Sequence, residues 1–174
     1  EIARAVATGM MPGPRILSAG IPLSVTGGHA RNIVLYADGA EEFRKTARHV
    51  LSTGASWIKI IGSNDPTYRP HEDGQWSFGE VDADEVSAVV AVARKWGGRV
   101  AVHCMGSRQI KLVARCGVDT IEHGVYIAPD GALAMAENGV SLVPTISGYL
   151  ETTWPRWRRG DDWRARHQHL ADVH

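Results

Sequence analysis

Gly54-Ala55-Ser56-Trp57-Ile58-Lys59-Ile60-Ile61 is the stretch from which the fold class is read. A glycine closes a segment of helical spacing, and a short β-branched run follows at once. Upstream, Phe43, Ala47, Val50 and Leu51 fall at i, i+4, i+7 and i+8, which is one face of a helix. Glycine ends such a helix cheaply, because without a Cβ it adopts the left-handed conformation freely. The run behind it is continuously apolar and has the length of a buried strand. The same punctuation recurs at Gly97-Gly98 before Val100-Ala101-Val102-His103, at Gly117 before Val118-Asp119-Thr120-Ile121, and at Gly139 before Val140-Ser141-Leu142-Val143. Val86, Val89, Val90 and Ala93 predict the helix before Gly97, with Asp82 or Asp84 as its N-cap. Ile110, Val113 and Ala114 line one face between Ser107 and Cys116, and Pro129 suits the first turn of a helix running to Asn138. Helices and strands alternating through short turns make βα units, and therefore an α/β protein with a parallel sheet.

Composition bounds the rest. Hydrophobic residues are 44% and charged residues 22% of the 174, which is globular and excludes a disordered chain. Nineteen basic side chains balance nineteen acidic ones, so bulk charge points to no nucleic-acid partner. No apolar run approaches the roughly 18–20 residues of a membrane span. Cys104 and Cys116 are too few for a disulfide framework or a four-thiolate zinc module. The chain opens at EIARAV without a methionine and stops at LADVH inside a helical pattern, so a fragment is expected, of a cytoplasmic protein. Trp154, Trp157 and Trp163 interleave with arginines, but Asp161 and Asp162 break the charge, and an outer helix explains the segment better than a nucleic-acid surface.

Ligands of parallel α/β folds gather at the carboxyl ends of the strands. The residues expected there are Lys59, His103, His123 and Thr145. A lysine within an apolar strand is costly unless it is paired, snorkels to solvent or is chemically altered. Each histidine, read alone, fits a hydrogen-bonded structural role as well as a ligand. Strand alternation sets His103 opposite Cys104, and sets Glu122 opposite His123, where it suits a helix contact or an outer partner of the site. Two imidazoles and an anomalous lysine on one edge of one sheet read as part of a metal site.

Several phrases then fall into a known order: Gly13-Pro14-Arg15-Ile16-Leu17, Thr26-Gly27-Gly28-His29, Gly54-Ala55-x-x-Ile58-Lys59-Ile60 and Val100-Ala101-Val102-His103. Gly117-Val118-Asp119-x-Ile121-Glu122-His123-Gly124 and Leu142-Val143-Pro144-Thr145 continue it. From Gly13 to about Ser147 the chain resembles the amidohydrolase superfamily, in its imidazolonepropionase-like and Xaa-Pro-dipeptidase-like branch. The resemblance implies a (β/α)8 TIM barrel with one or two divalent metals, usually zinc, at the strand ends. It implies that Lys59 is carboxylated by carbon dioxide and bridges the metals, and that His103 and His123 are ligands. It implies hydrolysis of carbon–nitrogen bonds in amides or peptides by metal-activated hydroxide, with a small-molecule or dipeptide substrate of the acyl-amino-acid or Xaa-Pro kind. A homo-oligomer is expected of the full-length protein.

The family also carries a His-x-His pair on its first strand and a general acid/base aspartate on its eighth, and neither has a counterpart here. His167-Gln168-His169 follows the seventh strand and reads as a solvated helix face. Strand counting agrees: Ile16 to Leu23, Trp57 to Ile61, Arg99 to Cys104, Thr120 to Glu122 and Ser141 to Thr145 are roughly strands three to seven of a barrel that takes about 250 residues. The whole of 1–174 is thus expected to be one incomplete barrel, inactive and poorly soluble alone because its sheet edges are open. His29, Tyr126 and Arg108 are candidate substrate contacts, each with a plain alternative as turn, packing or surface residue. Arg69 and His71 stand in a long loop after the Lys59 strand that is expected to cover the site. A non-catalytic α/β fragment and a cyclic-amide hydrolase are the competing readings. A doubly wound nucleotide-binding domain is disfavoured, since Thr26-Gly27-Gly28-His29 lacks a third glycine.

Overall fold

The computed structural model describes residues 1–64 and 80–146. Six parallel strands form one sheet: β1 (Leu23–Ser24), β2 (Leu35–Tyr36), β3 (Trp57–Ile61), β4 (Arg99–Gly106), β5 (Thr120–Tyr126) and β6 (Ser141–Val143). Their order is β2-β1-β3-β4-β5-β6, and every pairing is parallel. From β3 onward each strand lies beside the next in sequence, joined through α3 (Ala83–Lys95), α4 (Ser107–Arg115) and α5 (Pro129–Glu137). The fold class is α/β with a parallel sheet, as the spacing predicts, and the sheet is a portion of the (β/α)8 barrel that the resemblance implies.

Local signals act where they are expected. Gly54, Gly97, Gly117 and Gly139 have φ of 93°, 68°, 80° and 67°, so each ends its helix in the left-handed region. The buried residues of α2 (Gly39–Ser52) are Phe43, Ala47, Val50 and Leu51, the face its periodicity predicts. Helix α3 starts at Asp82, whose carboxylate and that of Glu85 make a reciprocal capping box, so Asp82 and not Asp84 is the cap. Phe43, Ile58, Ile60, Val86, Val89, Val100, Val102, Ile110, Val113 and Ile121 are all 0% exposed in one continuous cluster between helices and sheet. Each such side chain stabilises the fold by about 1.5–3 kcal/mol relative to exposure.

The amino-terminal part departs from expectation. The strand expected within Ile16 to Leu23 or its neighbourhood falls at the far end of that stretch, Leu23–Ser24, and Ile16 and Leu17 are 37% and 55% exposed. Gly20 turns left-handed (φ 63°) and Pro22 has no N–H to donate, so the stretch cannot ladder along β3. Only Ser18 reaches it, its carbonyl accepting from the Ser56 and Trp57 amides. A helix α1 (Ile2–Ala7) and the short edge strand β2 are additional to the elements read from spacing. Arg69, His71, the Trp154–Arg166 segment and His167–His169 lie outside the described residues.

Candidate metal centre

Register brings the site together. Lys59, Ala101 and Thr120 are aligned across β3, β4 and β5, and two residues on Ile61, His103 and Glu122 are aligned in the same way. Side chains two apart share a face, so Lys59, His103 and Glu122 stand on the side of the sheet away from the helix-packed core. Glu122 Oε2 lies 3.9 Å from Lys59 Nζ, and its other oxygen accepts from the Thr120 hydroxyl at 2.7 Å. Of the two roles expected of Glu122, the helix contact is not realised, and its contact with Lys59 fits the other, an outer partner of the site. Strand alternation around it was read correctly; the residue that breaks alternation is His123.

His123 has φ 77° and Gly124 follows with φ 59°, while the β4–β5 pairing passes from Cys104↔His123 to Gly106↔Tyr126 with a register shift. Two successive left-handed residues at this irregularity swing the His123 ring to the Glu122 side. There it meets His103 edge-on, with ring centroids 4.7 Å apart at 68°. The left-handed conformation costs a non-glycine residue about 1–2 kcal/mol, which marks the position as one held by its surroundings. A Cβ on Gly124 would come within 2.7 Å of Leu142 Cδ1, so any other residue would have to displace the end of that side chain as well as adopt a left-handed φ. Thr145, itself at φ 46°, sets its hydroxyl 2.5 Å from His123 Nδ1. This is the kind of outer hydrogen bond that fixes the ring and tautomer of a ligating histidine.

His103 is 5% exposed, and its Nε2 has no hydrogen-bond partner among the described residues. Burial, with the neighbouring His123, His29 and Lys59, lowers its pKa to about 2, against a hydrogen bond to the Ser63 main chain that raises it. The imidazole is thus neutral, the form that ligates. Burial also lowers Lys59 to about 8, opposed mainly by Glu122, so the amine is mostly an ammonium at neutral pH, with a larger uncharged share than an ordinary lysine has. Among the described residues no three His, Cys, Asp or Glu side chains by themselves make a metal site. The third member of this cluster is a lysine, whose ammonium form cannot coordinate a cation. A buried neutral imidazole with an orphaned nitrogen, between a second imidazole and an anomalous lysine, fits a divalent cation on chemical grounds.

The other predicted residues divide. His29, on the loop after β1, stacks on His103 with centroids 5.0 Å apart at 25°. Its main-chain N–H donates to both oxygens of Glu80, at 3.1 and 2.9 Å, and its carbonyl accepts from the Ser24 hydroxyl. Desolvation raises the Glu80 carboxyl above its ordinary value, with the His29 N–H opposing. Tyr126, at the end of β5, packs on Met105 and Val125 in a small satellite cluster. Arg108 stands exposed in the first turn of α4 and joins none of the ring contacts. A cavity of about 710 Å³ opens beside His29, lined by the Val25–Ile33 loop together with Asn64 and Glu80. Asn64 and Glu80 carry no spacing signal that marks them in the sequence.

Residues 1–169 match the amidohydrolase family. An ochratoxinase of Aspergillus niger is 26% identical over 210 aligned residues, covering 100% of this chain and 41% of that protein. Its crystal structure superposes with a TM-score of 0.83 over 98% of this chain and 44% of that one. A Xaa-Pro dipeptidase with methionine bound in its active site is 29% identical with a TM-score of 0.76, covering 99% and 47% of the two chains. A prolidase complexed with N-methylphosphonate-L-proline is also 29% identical, with a TM-score of 0.79 over 97% and 46%. The chain spans less than half the length of each of these relatives. Matched along nearly its whole length in sequence, and superposing on such structures, the chain belongs to the amidohydrolase family.

Proposed function

We propose that the full-length protein containing this chain is a metal-dependent hydrolase of carbon–nitrogen bonds, with acyl-amino acids or Xaa-Pro-like dipeptides as substrates and zinc as the metal. The observation that carries this reading is His103: a buried, neutral imidazole whose Nε2 has no partner among the described residues, with His123 and Lys59 on the same sheet edge. His103 and His123 would hold the cation. Lys59 would join them as a carbamate, formed when its neutral amine adds carbon dioxide and loses one proton. A bound divalent cation supplies Lewis acidity, lowering the pKa of water and polarising a carbonyl. Thr145 keeps the His123 ring in one orientation, and His29 stacks on His103 at the mouth of the adjacent cavity, where a substrate would approach the centre. The similarity to an ochratoxinase, a Xaa-Pro dipeptidase and a prolidase supports an amide or dipeptide substrate.

The test is metal analysis and hydrolysis by full-length protein prepared with zinc and bicarbonate, against a panel of Xaa-Pro dipeptides and N-acyl amino acids. Bound zinc and turnover in the wild type, both lost in Lys59→Ala and His103→Ala, are expected. Full metal occupancy in both variants, or no hydrolysis of any panel member, would overturn the proposal.

A further inference from the structure

We propose that Glu80 is a positioning residue, which fixes the His29 imidazole over the metal-site histidines by clasping the main chain of the loop that carries it. The proposal rests on the hydrolase reading above for its kinetic consequence, but its structural content stands separately.

The loop between β1 and β2 has little packing of its own; Thr26 and Gly27 are exposed and Ile33 is 67% exposed. Its shape is set by hydrogen bonds. At its entry the Asp38 carboxylate accepts from the Thr26 N–H at 2.9 Å and from the Thr26 hydroxyl at 2.5 Å. Toward its exit the Tyr36 hydroxyl donates to the Arg31 carbonyl. Between these two points stands His29, and both of its peptide groups are taken by side chains: Ser24 at the carbonyl and Glu80 at the N–H. Ala30 then turns left-handed at φ 65°, so the chain leaves His29 sharply, and rotation at this point would carry the ring away from His103.

Glu80 is suited to be the fixed end of the clasp. Its own N–H donates to the Gly62 carbonyl at 2.9 Å, and Gly62 N–H donates in turn to the His103 carbonyl at 2.8 Å. One short chain of main-chain hydrogen bonds thus joins Glu80 to the strand end that bears His103. The next residue, Val81, is buried, and its carbonyl accepts from the Gln109 amide of α4. The residue after that, Asp82, is locked in the capping box with Glu85. Three successive residues are therefore tied to β3, α4 and α3. The clasp also dictates the residue beside it: a Cβ on Gly28 would lie 2.7 Å from Glu80 Oε2 and 2.6 Å from Ser24 Oγ. A carboxylate that only needed solvation would not require its neighbour to be glycine.

The experiment compares Glu80→Ala, Glu80→Gln, His29→Ala and the double variant Glu80→Ala/His29→Ala in the full-length, zinc-loaded protein. Crystal structures of the wild type and Glu80→Ala are determined alongside. In Glu80→Ala the His29 ring is expected to leave its stack on His103 while zinc occupancy stays at the wild-type level. kcat/KM for the best dipeptide of the panel is expected to fall by roughly 10- to 100-fold, in the same parameter, kcat or KM, that His29→Ala changes. The double variant should be no worse than His29→Ala alone, because both remove one interaction. Glu80→Gln, whose amide oxygen still accepts from the His29 N–H, should recover most of the loss. A His29 ring that stays stacked in the Glu80→Ala crystal overturns the proposal whatever the kinetics. So does a fully additive double variant, or a Glu80→Gln as impaired as Glu80→Ala. A wild type that hydrolyses no panel member defeats the hydrolase reading instead, and the crystal comparison still decides the clasp.

Discussion

On the helix-covered face of the central sheet, Ile58, Ile60, Val100, Val102 and Ile121 are each 0% exposed, whereas one residue further along the same strands the other face carries Lys59, His103 and Glu122. The two faces share backbone, register and twist, and differ only in which alternate positions they receive. One is packed to exclude water and is silent chemically. The other holds an ammonium, a carboxylate and imidazoles at partial burial, with an orphaned nitrogen among them. Stability is thereby concentrated on one side and chemistry on the other, so substitutions on the two sides are expected to separate cleanly.

The largest effect belongs to the polar face. His103→Ala in the full-length protein is expected to lower kcat/KM by at least about 1000-fold, about 4 kcal/mol in the transition state, through loss of the metal. Its thermal midpoint without metal should fall less than that of Ile60→Ala, since the lost Ser63 hydrogen bond and ring packing are partly offset by removal of a buried nitrogen without a partner among the described residues. A large drop in that midpoint would break the comparison by making His103 a structural residue. Next comes the apolar face: Ile60→Ala is expected to cost about 2–5 kcal/mol in denaturant unfolding, through lost transfer energy and a residual cavity. Zinc stoichiometry measured under native conditions should not change.

Gly124→Ala sharpens the boundary between the faces. It places a Cβ at φ 59° and against Leu142 Cδ1, for a cost of about 1–2 kcal/mol of strain. Leu142 is 41% exposed and can give way, so the stability loss should be modest while the His123 ring shifts. Zinc affinity, measured by competition with a chelator, is expected to fall more than the unfolding free energy does. The smallest effect is at the loop. Hydrogen bonds from Thr26 hold the Asp38 carboxyl below its ordinary value. A depressed carboxyl stabilises the folded loop above its unfolded pKa, and this contribution is lost as pH falls through the folded value. Protection of the Thr26 amide from hydrogen exchange, corrected for the intrinsic rate, should therefore drop in acid below the usual carboxylate range. Asp38→Asn should remove that acid step.

Asp38 also explains where sequence reading stops. It precedes α2 at the N-cap position, yet its side chain makes no cap and is given to Thr26 instead. The helix end is served from elsewhere: Glu42 accepts from the Asp38 N–H, and Glu85 of α3 accepts from the Gly39 N–H. A local rule is broken at the loop that carries His29, and a neighbouring helix compensates. The helix faces, by contrast, were legible because each depends on residues within a dozen positions of one another. The buried set of α2 agrees with its periodicity residue for residue.

The site was legible in part for the same reason. Lys59 and His103 follow from strand position, because parallel strands end on one edge and alternate strictly. Glu122 is expected on the face opposite His123, but alternation fails at His123, and nothing in the composition of Thr120-Ile121-Glu122-His123-Gly124 reveals a left-handed histidine. By itself the sequence determined the βα alternation, the parallel sheet, the helix ends and the strand edge on which the chemistry-bearing residues gather. These follow from backbone sterics and hydrophobic period, which act between near neighbours. Only the tertiary structure decided that Glu122 and His123 share a side, that His103 keeps a buried nitrogen without a partner among the described residues, and that Glu80, 51 residues from His29, accepts from its N–H. Contacts across such separations depend on how several elements pack at once, and leave no periodic trace along the chain.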